Sequence, residues 1–93
     1  MAQVELTRRA FADLGRLHRW LADKNPDAAE RASAAIENGL AQLGQYPLMG
    51  PESDQSRGRE LAIDFGRDGY LVRYRVVGQR VIVTRIFHGR ERR

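Results

Sequence analysis

Near the N-terminus, the spacing between apolar residues changes from two residues to three or four. Val4 and Leu6 alternate with polar neighbours, which predicts a short strand over residues 2–6. Apolar side chains then recur every three or four residues, which predicts an amphipathic helix with its N-cap at Thr7. The helical stripe comprises Ala10, Phe11, Leu14, Leu17 and Leu21, with Trp20 beside it. The pattern therefore indicates a strand followed by a helix.

A second helical pattern follows Asn25-Pro26. Asparagine is a good N-cap, and proline at the first helical position gives up an amide that has no partner there. The apolar stripe comprises Ala29, Ala32, Ile36, Leu40 and Leu43. Gly44 and Pro47 are typical of a helix end. Ala29, Ala32 and Gly39 have small side chains or none, so we expect this helix to approach the first helix closely, as in an αα-hairpin.

The rest of the chain shows the two-residue period of strands. Residues 47–58 have no period and are rich in turn formers, which predicts a long loop. Apolar and polar residues then alternate, and glycines mark the turns. The predicted elements are a strand over 60–65, a turn over 66–69, and a hairpin of 70–77 and 80–88 around Gly78-Gln79. Three C-terminal strands are therefore expected.

A hairpin loop of two or four residues predicts which residues face each other, whereas a loop of three residues would shift the register. One face pairs Val76 with Val81, Tyr74 with Val83, Val72 with Arg85, and Tyr70 with Phe87. This face is mostly apolar, so we expect it to pack on the helices. The other face pairs Val77 with Arg80, Arg75 with Ile82, Arg73 with Thr84, and Leu71 with Ile86. If the strand extends that far, His88 and Arg90 continue this mixed apolar and basic face by parity.

These elements predict an α+β fold in the order β-α-α-β-β-β. The helical hairpin is expected to cover one face of a small, mainly antiparallel sheet. A chain of 93 residues suits a single domain, here residues 1–93. The expected core comprises Leu14, Leu17, Ile36, Leu40, Leu43, Ile63, Val72, Tyr74 and Val83. Arg73 and Arg75 are expected to remain largely accessible to solvent.

Composition removes several classes of function. The absence of cysteine excludes disulfides, thiolate nucleophiles and cysteine-based metal sites. His18 and His88 have no spacing that favours a metal, and no phosphate loop or nucleophile motif is present, so we expect neither a metal nor a cofactor. No signal peptide or membrane span is expected, which predicts a cytoplasmic protein without a membrane partner.

Charge is distributed unevenly along the sequence. Residues 1–65 carry eight basic and ten acidic side chains, whereas residues 66–93 carry eight arginines against Asp68 and Glu91. Such asymmetry indicates an acidic partner, either nucleic acid or an acidic protein segment. The candidate binding residues are Arg73, Arg75, Arg80, His88, Arg90 and Arg92. Arginines with a histidine could orient a phosphate and move protons in RNA cleavage, could bind an acidic peptide, or could form a solvated surface.

Several strings in this sequence resemble the RelE/ParE family of bacterial toxins from type II toxin–antitoxin pairs. The C-terminal signature is the string from Gly69 to Val76, followed by an apolar strand that ends in His88-Gly89-Arg90-Glu91. Upstream, the matching pieces are Thr-x-x-Ala-x-x-Asp-Leu (7–14), Asn-Pro-x-Ala-Ala (25–29), Leu-x-x-x-Pro-x-x-Gly (43–50) and Arg-Glu-Leu (59–61). The resemblance covers nearly the whole chain in the family's order.

The resemblance implies a toxin that a cognate acidic antitoxin neutralises. RelE-like members are ribosome-dependent mRNA endonucleases, whereas ParE-like members inhibit DNA gyrase and have no known catalytic residues. RelE-like proteins usually carry an arginine where this chain has Leu71, and an aromatic residue near the C-terminus, where this chain has none beyond Phe87. The ParE-like reading is therefore preferred, with no catalytic residues. The alternatives are a RelE-like nuclease, which would use Arg90, His88 and Arg73, and a binding module that has lost toxicity.

Overall fold

The computed structural model describes residues 1–54 and 58–91. Its elements are β1 (Gln3–Leu6), α1 (Arg8–Lys24), α2 (Pro26–Gln45), β2 (Glu52–Ser53), β3 (Gly58–Ile63), β4 (Tyr70–Val77) and β5 (Arg80–His88). The strands form one sheet in the order β1-β5-β4-β3-β2. β1 runs parallel to β5, and the other neighbours are antiparallel. The predicted α+β fold is confirmed, with β2 as an added short edge strand.

Both helices start where their capping residues predict. The Thr7 hydroxyl accepts a hydrogen bond from the Ala10 amide at 3.1 Å, and the Asn25 side-chain oxygen accepts one from the Ala28 amide at 3.1 Å. Each bond satisfies an amide that has no partner within the helix. No helix in the described ranges is long and apolar enough to cross a membrane.

The core lies between the helical hairpin and one face of the sheet. The predicted core residues are confirmed, and seven of the nine are buried while Leu14 and Leu40 are partly buried at its margin. Gly39 has a different role from the one expected. A Cβ at this position would lie 2.6 Å from the Ile63 Cδ1 atom, so the glycine allows α2 to approach β3 rather than α1.

A β-bulge in β5 shifts the hairpin register. The predicted pairs Val76–Val81 and Tyr74–Val83 are confirmed, as are Arg75–Ile82 and Val77–Arg80. Beyond them Arg73 faces Arg85, Val72 faces Ile86, Leu71 faces Phe87 and Tyr70 faces His88, so the predicted pairs of Arg85, Phe87, Thr84 and Ile86 are wrong. The extra residue is Thr84. The bulge places Ile86 in the core and keeps Arg85 out of it, because an arginine at a core position would be costly to desolvate.

The segment predicted as a plain loop over residues 47–58 contains β2 and is held by a buried hydroxyl. Tyr74 is completely buried, and its hydroxyl accepts from the Gly50 amide at 2.9 Å and donates to the Pro47 carbonyl at 2.7 Å. The Arg59 guanidinium donates to the Gly50 carbonyl at 2.8 Å. These bonds fix the turn after α2 to the sheet.

We predict that Tyr74→Phe lowers the free energy of unfolding by about 2 kcal/mol, because it leaves the Gly50 amide and the Pro47 carbonyl without their partner. Urea unfolding followed by circular dichroism measures the change. Tyr46→Phe is the matched control, since Tyr46 is 63% exposed and should tolerate loss of its hydroxyl. Equal stabilities of the two variants would contradict the role assigned to the Tyr74 hydroxyl.

Candidate functional site

The bulge divides the predicted basic cluster between two surfaces. Arg73 and Arg75 project from the sheet face that is turned away from the helices, which we call the open face. His88 lies on the helix side, opposite Tyr70. Arg90 follows in the turn after β5, and Arg80 lies at the hairpin end beside β1. Arg92 falls outside the described residues. The prediction that His88 and Arg90 continue the face of Arg73 is therefore wrong.

The centre of the open face is an aromatic ring covered by two arginines. The Arg73 and Arg85 guanidinium carbons lie 5.0 Å and 4.5 Å from the centre of the Phe87 ring. This cover explains why Phe87 is only 4% exposed although it lies on the open face. Arg73 also donates to the Glu60 carboxylate at 2.9 Å and is itself only 18% exposed. The expectation of a largely accessible Arg73 is therefore wrong.

The buried carboxylate of Asp13 joins α1 to β5. One oxygen accepts from the Ile86 amide at 2.9 Å and from the Arg85 Nε atom at 2.9 Å. The other accepts from Arg16 at 3.3 Å. β1 has ended by this point, so the Ile86 amide lies on a stretch of β5 edge that pairs with α1 side chains instead of a strand. Thr7 covers the same edge, because its hydroxyl donates to the Thr84 carbonyl at 3.3 Å.

Asp13 has a lowered pKa despite its burial. Burial raises the pKa of Asp13, but hydrogen bonds from Arg85, the Ile86 amide and Arg16 outweigh that effect, so the pKa lies below its ordinary value. The carboxylate is thus ionised at neutral pH and holds two guanidinium groups in place.

Arg80 and Arg75 differ in their ion pairing within the described residues. Arg80 forms a two-pronged pair with the Glu5 carboxylate at 2.8 Å and 2.9 Å, and the hydrogen bond from Arg80 lowers the pKa of Glu5. This pair links β1 to β5 at the surface. Arg75 is exposed on the open face and, within residues 1–54 and 58–91, forms no ion pair within 4.0 Å. Of these two, Arg75 is the more available to a partner.

A second surface, which we call the α1 groove, lies between α1 and the turn after β5. It has a volume of about 380 Å³ and is lined by Arg16, Leu17, Trp20, His88, Arg90 and Glu91. The His88 ring lies 5.6 Å from the Tyr70 ring and 6.2 Å from the Trp20 ring. The His88 Nδ1 atom accepts from the Arg90 amide at 3.2 Å, so one ring nitrogen is already used to shape the turn.

The arrangement suits binding better than acid–base chemistry. His88 and Arg73 lie on opposite faces of the sheet, so they do not converge on one reacting group. In the described part of the chain, no group of three histidine or carboxylate side chains is placed to hold a metal ion. The two surfaces instead offer guanidinium groups beside apolar or aromatic side chains, which is a composition typical of protein interfaces.

Three important side chains were not among the sequence-based candidates. Asp13 sits between the stripe positions Ala10 and Leu17, and a buried helical carboxylate implies a cationic partner, yet the sequence does not say which. Arg85 was assigned to the apolar face because a bulge has no clear sequence signal here. Trp20 lies beside the apolar stripe of α1 in the sequence pattern, and it is 55% exposed.

We predict that Asp13→Asn lowers the free energy of unfolding by about 2 kcal/mol at neutral pH, since charged hydrogen bonds to Arg85 and Arg16 are lost. The pKa of Asp13 is lowered in the folded state, so its stabilising effect is present above its ordinary pKa of 3.8 and disappears as the pH falls through the folded-state pKa. Urea unfolding across that range should show the two proteins converging in acid.

Asp23→Asn is the control for this experiment, because Asp23 is an exposed carboxylate on the same helix. It should leave stability nearly unchanged at every pH. A difference between wild type and Asp13→Asn that stays constant down to strongly acidic pH would contradict the proposed role of the ionised carboxylate.

Comparisons with known proteins agree with this architecture. The family profile described as "ParE toxin of type II toxin-antitoxin system, parDE" matches residues 4–93. Toxin RelE3 of Caulobacter vibrioides is 43% identical over 93 residues, covering 100% of both chains. Toxin RelE1 of the same organism is 42% identical over 90 residues, covering 97% of this chain and 96% of the relative.

A solved structure supports the same assignment. A chain of the "Chromosomal ParDE TA system from P. aeruginosa" superimposes with a TM-score of 0.80 at 25% identity, covering 95% of this chain and 96% of that one. The family match spans nearly the whole chain, and the fold agrees with it. The chain belongs to the ParE/RelE family of toxins from type II toxin–antitoxin systems.

Proposed function

We propose that this toxin acts in the cytoplasm as a ParE-like inhibitor of DNA gyrase and that a cognate acidic antitoxin neutralises it. The observation that carries the proposal is the separation of the candidate catalytic side chains. Arg73 lies on the open face, whereas the bulge at Thr84 turns His88 to the helix side. A nuclease that used Arg73, His88 and Arg90 would need all three side chains in contact with the same substrate.

The ion pairs and hydrogen bonds of these side chains also favour inhibition by binding over RNA cleavage. RNA cleavage requires stabilisation of the developing charge on phosphate and the movement of a proton. Arg73 is paired with Glu60, and Arg90 lies 3.4 Å from the Asp68 carboxylate. The His88 Nδ1 atom accepts a backbone hydrogen bond. Inhibition by binding needs no proton transfer, so it is compatible with this arrangement.

The alternative is a ribosome-dependent mRNA endoribonuclease. It is favoured by the names of the relatives, since the two Caulobacter vibrioides proteins with 43% and 42% identity are called RelE toxins. In that case Arg90, His88 and Arg73 would be the catalytic candidates, and the ribosome would have to bring them together. A protein that binds its antitoxin but neither inhibits gyrase nor cleaves mRNA would be a binding module that has lost its toxicity.

We expect purified toxin to block DNA supercoiling by gyrase and to leave ribosome-bound mRNA intact. The physical reason is that the candidate acid–base groups are divided between two faces, so the protein can occlude a target without cleaving RNA. Gel assays of supercoiling and primer extension on translated mRNA measure the two activities. Codon-position cuts together with normal supercoiling would reject the gyrase proposal.

We also expect Arg75→Glu to slow association with the antitoxin, because an exposed arginine at an interface rim acts mainly through electrostatic steering. The association rate should fall severalfold near physiological salt and recover toward wild type as added salt screens the charge. Arg8→Glu is the control, since Arg8 is an exposed arginine at the start of α1. Equal slowing by both variants would mean that net charge, rather than the open face, sets the rate.

A further inference from the structure

Trp20 is a large apolar side chain that the core does not use. It is 55% exposed on α1, although it adjoins the buried Leu17 in the groove. The ammonium of Lys24 lies 4.2 Å from the centre of the indole ring, and the His88 ring approaches from β5. Exposed tryptophans beside arginines are common as the anchors of protein interfaces.

The far wall of the α1 groove is held rigid by hydrogen bonds. The Glu91 carboxylate accepts from the His88 amide at 2.7 Å and from Arg16 at 2.9 Å, so it ties the turn after β5 back to α1. The Gly89 amide donates to the Gly69 carbonyl at 2.9 Å, and a Cβ at Gly89 would collide with the Asp68 carbonyl oxygen. The groove is therefore formed before any partner arrives, which lowers the entropic cost of binding.

The charges around the groove select an anionic partner. Arg90 is 69% exposed and lies beside the Asp68 carboxylate, and Lys24 adds a second cation above the indole. Arg16 is 44% exposed but is already paired with Asp13 and Glu91. The one carboxylate in the lining belongs to Glu91, and both of its oxygens are already used in hydrogen bonds. A partner carboxylate would meet cations on both sides of an aromatic floor.

We propose that the α1 groove binds an acidic segment of the antitoxin and that one large apolar side chain of this segment packs on Trp20. The inference rests on the proposed neutralisation by an acidic antitoxin. The volume of about 380 Å³ suits one or two side chains of a segment that is also held elsewhere. Arg90 and Lys24 would pair with carboxylates that flank the apolar anchor.

A second copy of this chain is the less suitable occupant. Stable dimers bury on the order of 1,200–2,000 Å², and a groove of this size supplies a small part of that area. A two-fold contact would also place the basic rim of one copy against the basic rim of the other. Such like-charge contacts oppose association, whereas an acidic segment relieves them.

The test measures the dissociation constant between the refolded toxin and its purified cognate antitoxin. Trp20→Ala should raise this constant by at least about 30-fold, as expected for an interface anchor. This loss of affinity should persist at high salt, because salt does not screen the apolar contact that Trp20 makes. Arg90→Gln should raise the constant severalfold near physiological salt and have little effect at about 0.5 M salt.

Phe11→Ala is the matched control, because Phe11 is an aromatic residue on the same helix, 71% exposed and outside the groove. It should change the constant by less than about threefold. Thermal melts of the free variants verify that each one folds. Trp20→Phe should recover part of the affinity lost in Trp20→Ala, since a ring remains on the groove floor.

Fluorescence gives a second measurement, since Trp20 is the only tryptophan in the sequence. Binding should shift the Trp20 emission to the blue and protect it from quenching by acrylamide. The emission of the complex formed by Trp20→Phe is subtracted first, because it contains only the signal of the antitoxin. Tight binding that is insensitive to Trp20→Ala would overturn this inference and leave neutralisation by the antitoxin standing. Failure of the unaltered toxin to bind would overturn both, and a toxin dimer that Trp20→Ala dissociates would assign the groove to a second copy.

Discussion

The buried carboxylate of Asp13 is the interaction on which the arrangement of both surfaces depends. It satisfies the Ile86 amide on the edge of β5 that extends beyond β1, and it fixes Arg85 beside Phe87. Through Arg16 it also reaches Glu91, which shapes the turn after β5. Removing Asp13 would leave the Ile86 amide and the partly buried Arg85 guanidinium without their partner, whereas the more exposed Arg16 and Glu91 would regain water. The helix, the bulge and the C-terminal turn are therefore coupled.

The bulge determines what each surface can do. Without the extra residue, Arg85 would point into the core and His88 would share the open face with Arg73. With it, the open face carries a covered aromatic ring and the helix side gains an imidazole beside Trp20. One inserted residue thus divides the predicted basic cluster between two separate surfaces. This separation is the observation on which the proposal of inhibition by binding rests.

The periodic features of the fold were predictable from the sequence, whereas the exceptions to the period were not. The caps at Thr7 and Asn25 and the turn at Gly78 depend on neighbours in the sequence, so local chemistry was sufficient. Thr84 gives no comparable signal, because the benefit of its bulge lies in packing Ile86 against distant residues. The β5 residues from Arg85 to His88 consequently lie on the opposite face from the one predicted. Gly39 shows the same limit, since its small size was evident but its neighbour, Ile63, was set by the tertiary structure.

Charge asymmetry along the sequence is much reduced in space. Arg73, Arg80 and Arg85 each pair with an acidic residue from the first two thirds of the chain, and Arg90 lies near Asp68 in a turn. The basic C-terminal third therefore presents less free charge than its composition suggests. Exposed ion pairs contribute little to stability, so a partner carboxylate could replace Asp68 beside Arg90 at small cost. Because four of the eight arginines in residues 66–93 are paired within the molecule, selectivity for a partner depends on geometry as well as on charge: an exposed arginine on the open face, and an indole beside cations in the α1 groove.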